Sequence, residues 1–328
     1  NGGRLDINSG TVELSGGNLN LSGDDSASGE AGLAGAVWLN GGTLRLNSGT
    51  IVLQPGQAGN GDPRPDMGKL TINGGTLNVH PDTVAGIVDG DLDFQSGTIH
   101  MRTQYGVGST TGAIADLLGN ANLSLGADQH LVTDDLFFVG TSGAASATLQ
   151  DGATVQVNSL ARIGAGSTAV STLTLESGSR FETADKMAVG FSSGAQGTAT
   201  VSGNGTRLDV GTQLIVSDIG KGVLNIESGG RVEAAENVDI GWWYGSDGEV
   251  NLSGAHLVGN GNLNIGNKGK GTMILGSGST VSTTGTTTLG VEGTAEGTLI
   301  LNGGVLTTAG LSIGDGTATL QMNAGQLR

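Results

Sequence analysis

Apolar residues recur at every second position in short bursts, and glycine-containing corners separate the bursts. Leu5 and Ile7, Val12 and Leu14, and Leu19 and Leu21 alternate with Asp6, Glu13 and Asn20. Successive side chains of a strand point to opposite faces, so each burst predicts a short strand with one apolar face. Ile7, Leu14 and Leu21 fall seven residues apart, as do Leu39, Leu46 and Leu53. That spacing matches a coiled-coil heptad, but the i, i+2 pairing and the glycines between bursts exclude one.

The bursts repeat in groups of three. Between Leu173 and Gly241 the chain reads LTLESGSRFE…MAVG, then ATVSGNGTRLD…LIVS, then LNIESGGRVE…VDIG. Leu175, Val201 and Ile226 hold equivalent places, 26 and 25 residues apart. A fixed period in this range marks a stacked repeat array. Taking the last apolar residue of each first strand as an anchor gives Ile7, Leu39, Ile72, Phe94, Leu125, Leu149, Leu175, Val201, Ile226, Leu252, Leu275, Leu301 and Met322. The pattern predicts an all-β fold, a three-sheet parallel β-solenoid of about 12–13 turns and roughly 60 Å.

The solenoid is expected to run through residues 1–328 as a single continuous rod, with regular turns over 141–328. Insertions are expected at 22–36, 54–68 and 102–121, the first two leaving after the third strand of a turn. A short helix is predicted at Ala113–Leu118. Glycines such as Gly75, Gly97, Gly152, Gly178 and Gly304 recur at one corner, where a sharp turn needs a positive φ. Asn8, Asn40, Asn73 and Gln95 are placed to stack as polar ladders between turns. Both ends read as cut from a longer array, because solenoids carry atypical capping repeats.

Composition narrows the classes. Glycine at 63 residues with 3% aromatics excludes an ordinary globular core, and the glycines lack the triplet of collagen. No stretch reaches the roughly 18 apolar residues of a membrane-spanning helix. A net charge of −16 argues against binding nucleic acid or anionic membranes. Cysteine is absent, so neither disulfides nor thiolate metal sites can form.

The units GKGVLNIESGGRVEAAENVDIG, GKGTMILGSGSTVSTTGTTTLG and EGTLILNGGVLTTAGLSIGDG resemble the repeats of bacterial autotransporter passenger domains, as do LNGGTLRLNSGTIVL and LTINGGTLNV. The resemblance covers essentially the whole chain. It implies a right-handed parallel β-helix, displayed on the cell surface of a Gram-negative bacterium after outer-membrane translocation. It also implies a role in adhesion, self-association or biofilm formation. The implied partners are the same protein on neighbouring cells, or a host or matrix glycoprotein or polysaccharide. Membrane attachment would come only through a β-barrel absent from this chain.

Three groups of residues are candidates for chemistry. Arg180-Phe181-Glu182, Arg207-Leu208-Asp209 and Arg231-Val232-Glu233 should stack in register, with His256 continuing the arginine column. The plain reading is a surface charge lattice of weak pairs. The functional alternatives are a platform for acidic ligands or saccharides, suited to arginine forks, and a polysaccharide lyase or hydrolase site. The second group is Trp242-Trp243-Tyr244, in the loop after the third strand, where exposed aromatics could anchor a ligand. Trp38, at an outward strand position, is a weaker anchor. The third group is the acidic loops around Asp24, Asp25 and Glu30, Asp62 and Asp66, and Asp134 and Asp135. These lack any calcium-ligand spacing. No metal and no cofactor is expected, and His80, His100, His130 and His256 show no metal-binding pattern. The favoured expectation is a non-enzymatic adhesin stalk, with a polysaccharide-active enzyme and a passive spacer as alternatives.

Overall fold

The computed structural model describes Arg4–Ile7, Thr11–Leu21, Ala36–Leu39, Thr43–Leu53, Lys69–Val79, Asp91–Met101, 104–107, 122–141 and 143–328, with side chains at 73–76, 94–101 and throughout the stretches after 104. Among these residues there is no helix, and every strand pairing is parallel. Strands of the first and second sides merge into a 20-stranded sheet, the third side is a 9-stranded sheet, and Arg4–Ile7 pairs with Ala36–Leu39 in a separate 2-stranded sheet. The protein is therefore a parallel β-solenoid.

Alternation within each strand builds the interior. Leu125, Leu149, Leu175, Val201, Ile226, Leu252, Leu275 and Leu301 lie in file, all at most 3% exposed. Full burial of such a side chain is worth about 1.5–3 kcal/mol. Each turn also contributes inward residues from its second and third strands. Tyr105 stacks on Phe137 inside, with ring centroids 5.9 Å apart, and Phe137 meets Phe181 edge to face at 5.2 Å. Outward amides form ladders between turns. Asn251 Nδ2 donates to Asn225 Oδ1 at 3.1 Å, and Asn323 Nδ2 to Asn302 Oδ1 at 2.7 Å.

Several expectations need correction. In the parallel register Leu14, Leu46, Ile72 and Phe94 stand in one file. Ile7 and Leu39 instead pair with each other in the separate sheet and do not stand in the file of first-side anchors. Three apolar pairs seven residues apart look alike along the chain, and only register with later turns distinguishes them. It follows that the insertions at 22–36 and 54–68 come after strands of the second side, Leu21 and Leu53 being register partners of Val79 and Met101. The third insertion begins later than expected, because Tyr105–Val107 is the first strand of the third sheet.

Among the described residues nine third-sheet strands give nine three-sided turns, against the twelve to thirteen expected. Of the four remaining anchors, Ile7 and Leu39 lie in the separate pair, Ile72 lies on Lys69–Val79 ahead of the third sheet, and Met322 lies on Thr317–Leu327, after the last third-sheet strand. Positive φ falls on Gly74 and Gly303 rather than on Gly75 and Gly304. Asn73 pairs in register with Ser96, whose hydroxyl donates to it at 2.9 Å, and not with Gln95. The expected helix, the ladder at Asn8 and Asn40, and most of the insertions lie outside the described residues.

Candidate functional site

The second side carries the expected charge columns. Thr154, Arg180, Arg207, Arg231, His256 and Thr280 follow one another in register, beside a second file of Gln156, Glu182, Asp209 and Glu233. Phe181, Leu208 and Val232, between the charges, are buried. Three arginines at strand spacing repel one another, and the carboxylates offset that repulsion by closing a zigzag. Arg180 reaches Glu182 at 3.1 Å on its own strand and Asp209 at 2.9 Å on the next. Arg207 reaches Asp209 at 3.2 Å and Glu233 at 3.7 Å, and Arg231 reaches Glu233 at 2.8 Å. The hydrogen bond from Arg231 holds Glu233 below the usual carboxylate range, helped by the charges of Arg231 and Arg207 against the effect of burial. His256 ends the column on a hydroxyl, with Nδ1 2.7 Å from Thr280 Oγ1, as His130 does with Thr154 at 2.7 Å on the opposite flank. The lattice is electrically balanced, and its guanidinium groups are engaged internally.

The third side differs. Among the residues with described side chains, the aromatics that do not pack in the core are Phe138, Phe191, Trp242, Trp243 and Tyr244. Phe138 is the outward residue of strand Phe137–Val139, and the other four lie in corners that follow third-sheet strands. Those corners stack. Gly241, Gly266 and Gly290 all have positive φ, and two residues beyond each stand Trp243, Lys268 and Glu292. Backbone bonds fix the file, from Trp243 N to Asp218 O and from Glu292 N to Asn267 O, both at 3.0 Å. Within it the Lys268 ammonium sits 4.2 Å from the Trp243 ring centroid and 5.7 Å from that of Tyr244. The same Nζ lies 3.3 Å from Glu292 Oε1, and the Tyr244 hydroxyl donates to Glu292 Oε2 at 2.9 Å. That hydrogen bond and the Glu292 charge push the Tyr244 hydroxyl above its usual pKa. Trp243 is 43% and Tyr244 52% exposed, while Trp242 is half-buried.

Polar groups continue along the same side. Asp239 is the outward residue of strand Val238–Ile240, yet it is fully buried. Its Oδ2 accepts from Gln213 at 2.6 Å, and its Oδ1 accepts from Asn264 and Asn267, each at 2.8 Å. Burial pushes its carboxyl above the usual range, and the three amide donors only partly oppose that. Further back, the Arg162 guanidinium lies 3.9 Å over the Phe191 ring. Asp218, beyond it, is raised by burial and lowered by the charges of Arg162 and Lys186.

The structure brings together Arg180, Glu182, Arg207, Asp209, Arg231, Glu233 and His256 as expected, on a different side from Trp242, Trp243 and Tyr244. Trp38 lies opposite Asp6 in the separate strand pair, and its side chain is outside the described residues. Of the acidic loops, Asp134 and Asp135 are described: Asp134 pairs with His100 Nε2 at 2.7 Å, and Asp135 is exposed. No cluster of metal-ligand residues occurs among the described residues. Sequence reasoning missed Lys268, Glu292 and Asp239. Aligning the corner glycines Gly241, Gly266 and Gly290 would have found the first two, since Trp243, Lys268 and Glu292 then fall in one column. No family model, curated protein or solved structure matches the chain.

Proposed function

We propose that this chain is a non-catalytic binding rod, the β-helical stalk of an autotransporter-type adhesin that acts at a bacterial cell surface through its sides. The observation that carries the reading is the contrast between two sides. On the second, Glu182, Asp209 and Glu233 stand in file and each is engaged by arginine. Glycoside hydrolysis needs two carboxyl groups facing each other across a bond, with one held protonated. On the third, exposed aromatic rings sit beside fixed polar groups, the composition that anchors binding surfaces. The partner is the same rod on a neighbouring cell or a matrix saccharide or glycoprotein. The test is display of the chain on otherwise non-adhesive bacteria. Faster settling or matrix retention of displaying cells is the expected result, and behaviour identical to non-displaying cells would remove the reading.

A further inference from the structure

The Trp243 corner has the geometry of a cation cage with an ammonium already in it. Two rings 5.6 Å apart and inclined at 68° make two walls, and the Glu292 carboxylate makes the third. The Lys268 ammonium occupies the space between them. Cations held against indole and phenol faces gain from the ring quadrupole, and more so when a carboxylate lies behind them. The walls are preorganised. Trp243 and Glu292 hang from backbone bonded into the turn below, and the Tyr244 hydroxyl locks the carboxylate. The occupant is different in kind, an ammonium on a flexible four-carbon stem.

We propose that Trp243, Tyr244 and Glu292 form a receptor for the ammonium group of an amino-sugar chain, and that Lys268 is its resident stand-in. Charge selects the class, because a chain of net charge −16 draws polycations and repels polyanions. The rings select within it. A hexosamine carries its ammonium on a rigid ring whose C–H face can lie on the exposed indole. A lysine side chain would only repeat what Lys268 already supplies. An earlier corner of the same side also carries an aromatic ring. Phe191, under Arg162, lies two third-sheet turns before Trp243, roughly 10 Å away and about the span of a disaccharide. A linear amino-glycan running along the axis would meet both places.

The inference rests on the third side being the binding side, and a soluble titration tests it apart from any cell-based assay. The full chain is titrated with a fully deacetylated glucosamine hexamer and with its N-acetylated counterpart, at mildly acidic pH, by calorimetry. The deacetylated hexamer is expected to bind at least about tenfold more tightly, and Glu292→Gln is expected to weaken it by about tenfold. Lys268→Gln, which vacates the cage, is expected to tighten binding by a similar factor. A purely structural Lys268 would not give that result. Equal binding of the two hexamers, no gain in Lys268→Gln, or equally tight binding of an oligolysine of matched charge would each overturn the proposal. So would absence of binding to both the wild type and Lys268→Gln, even if displaying cells still adhere.

Discussion

Arg180 Nε donates to Asp209 Oδ2 at 2.9 Å, one turn along the rod, while its terminal nitrogen lies 3.1 Å from Glu182 on its own strand. This diagonal, repeated more loosely from Arg207 to Glu233, lets three arginines stack in register. First-strand positions manage charge in another way. Lys221, Asp247, Lys270 and Glu296 alternate in sign at successive register positions, with Lys270 and Asp247 3.7 Å apart.

The arginines of the lattice are exposed and Asp209 and Glu233 are half-buried, so single members should matter modestly. Asp209→Asn removes the negative charge shared by Arg180 and Arg207 and is expected to cost about 0.5–1 kcal/mol in urea unfolding at low salt. The cost should shrink in high salt as the arginine repulsion is screened. A salt-independent loss would mean that Asp209 acts through packing instead.

The corner glycines are far less forgiving. Gly241 has φ +71°, and a Cβ there would lie 2.2 Å from the Lys270 carbonyl oxygen of the next turn. Gly241→Ala is expected to destabilise by about 2–4 kcal/mol, combining left-handed strain with a backbone clash. Ser217 holds the same column with φ 69°, and its hydroxyl donates to Gly220 O at 2.6 Å and accepts from Asp247 N at 3.0 Å. A Gly241→Ala protein as stable as wild type would contradict this account of the corner.

Asp239 sets a pH dependence of definite sign. Burial raises its carboxyl above 3.8, so the folded state binds the proton more tightly than the unfolded chain. Its penalty is absent below 3.8 and grows as pH rises through the folded-state value. Asparagine at this position can still accept from Asn264 and Asn267, and the Gln213 amide can turn its oxygen inward. Stability measured by urea unfolding from about pH 3 to pH 7 should therefore favour Asp239→Asn increasingly as pH rises. A pH-independent difference, or one that reverses, would contradict the assignment.

Tyr105 is fully buried, its hydroxyl has no hydrogen-bond partner among the described residues, and burial pushes that hydroxyl far above its usual pKa. Tyr105→Phe keeps the stack on Phe137 and removes an unsatisfied polar atom. It is expected to stabilise by about 1 kcal/mol in urea unfolding. Destabilisation of that size would show that the hydroxyl has a partner.

Much of this was legible along the chain, and the boundary is physical. Strand alternation reports burial directly, so Phe181, Leu208 and Val232 could be placed inside and their arginine neighbours outside. The column from Arg180 to His256 followed because those turns are nearly equal in length. The phase of the first strands could not be read, since Leu5/Ile7, Val12/Leu14 and Leu19/Leu21 are interchangeable patterns. The buried Asp239 was also hidden. Its cover comes from Gln213, Asn264 and Asn267 on neighbouring turns, and alternation alone assigns it to solvent. The Trp243, Lys268 and Glu292 file spans corners of unequal length, so it emerges only when the glycines are aligned.

In the proposed function the third side binds and the second side is structural. Cells displaying wild type, a Trp243→Ala/Tyr244→Ala variant and an Arg207→Gln/Asp209→Asn variant at matched surface density, compared for settling and matrix retention, test it most directly. The account predicts loss of most of the adhesive signal in the aromatic variant and wild-type adhesion in the lattice variant. Full adhesion without the two aromatics, or loss of adhesion in the lattice variant alone, would contradict it.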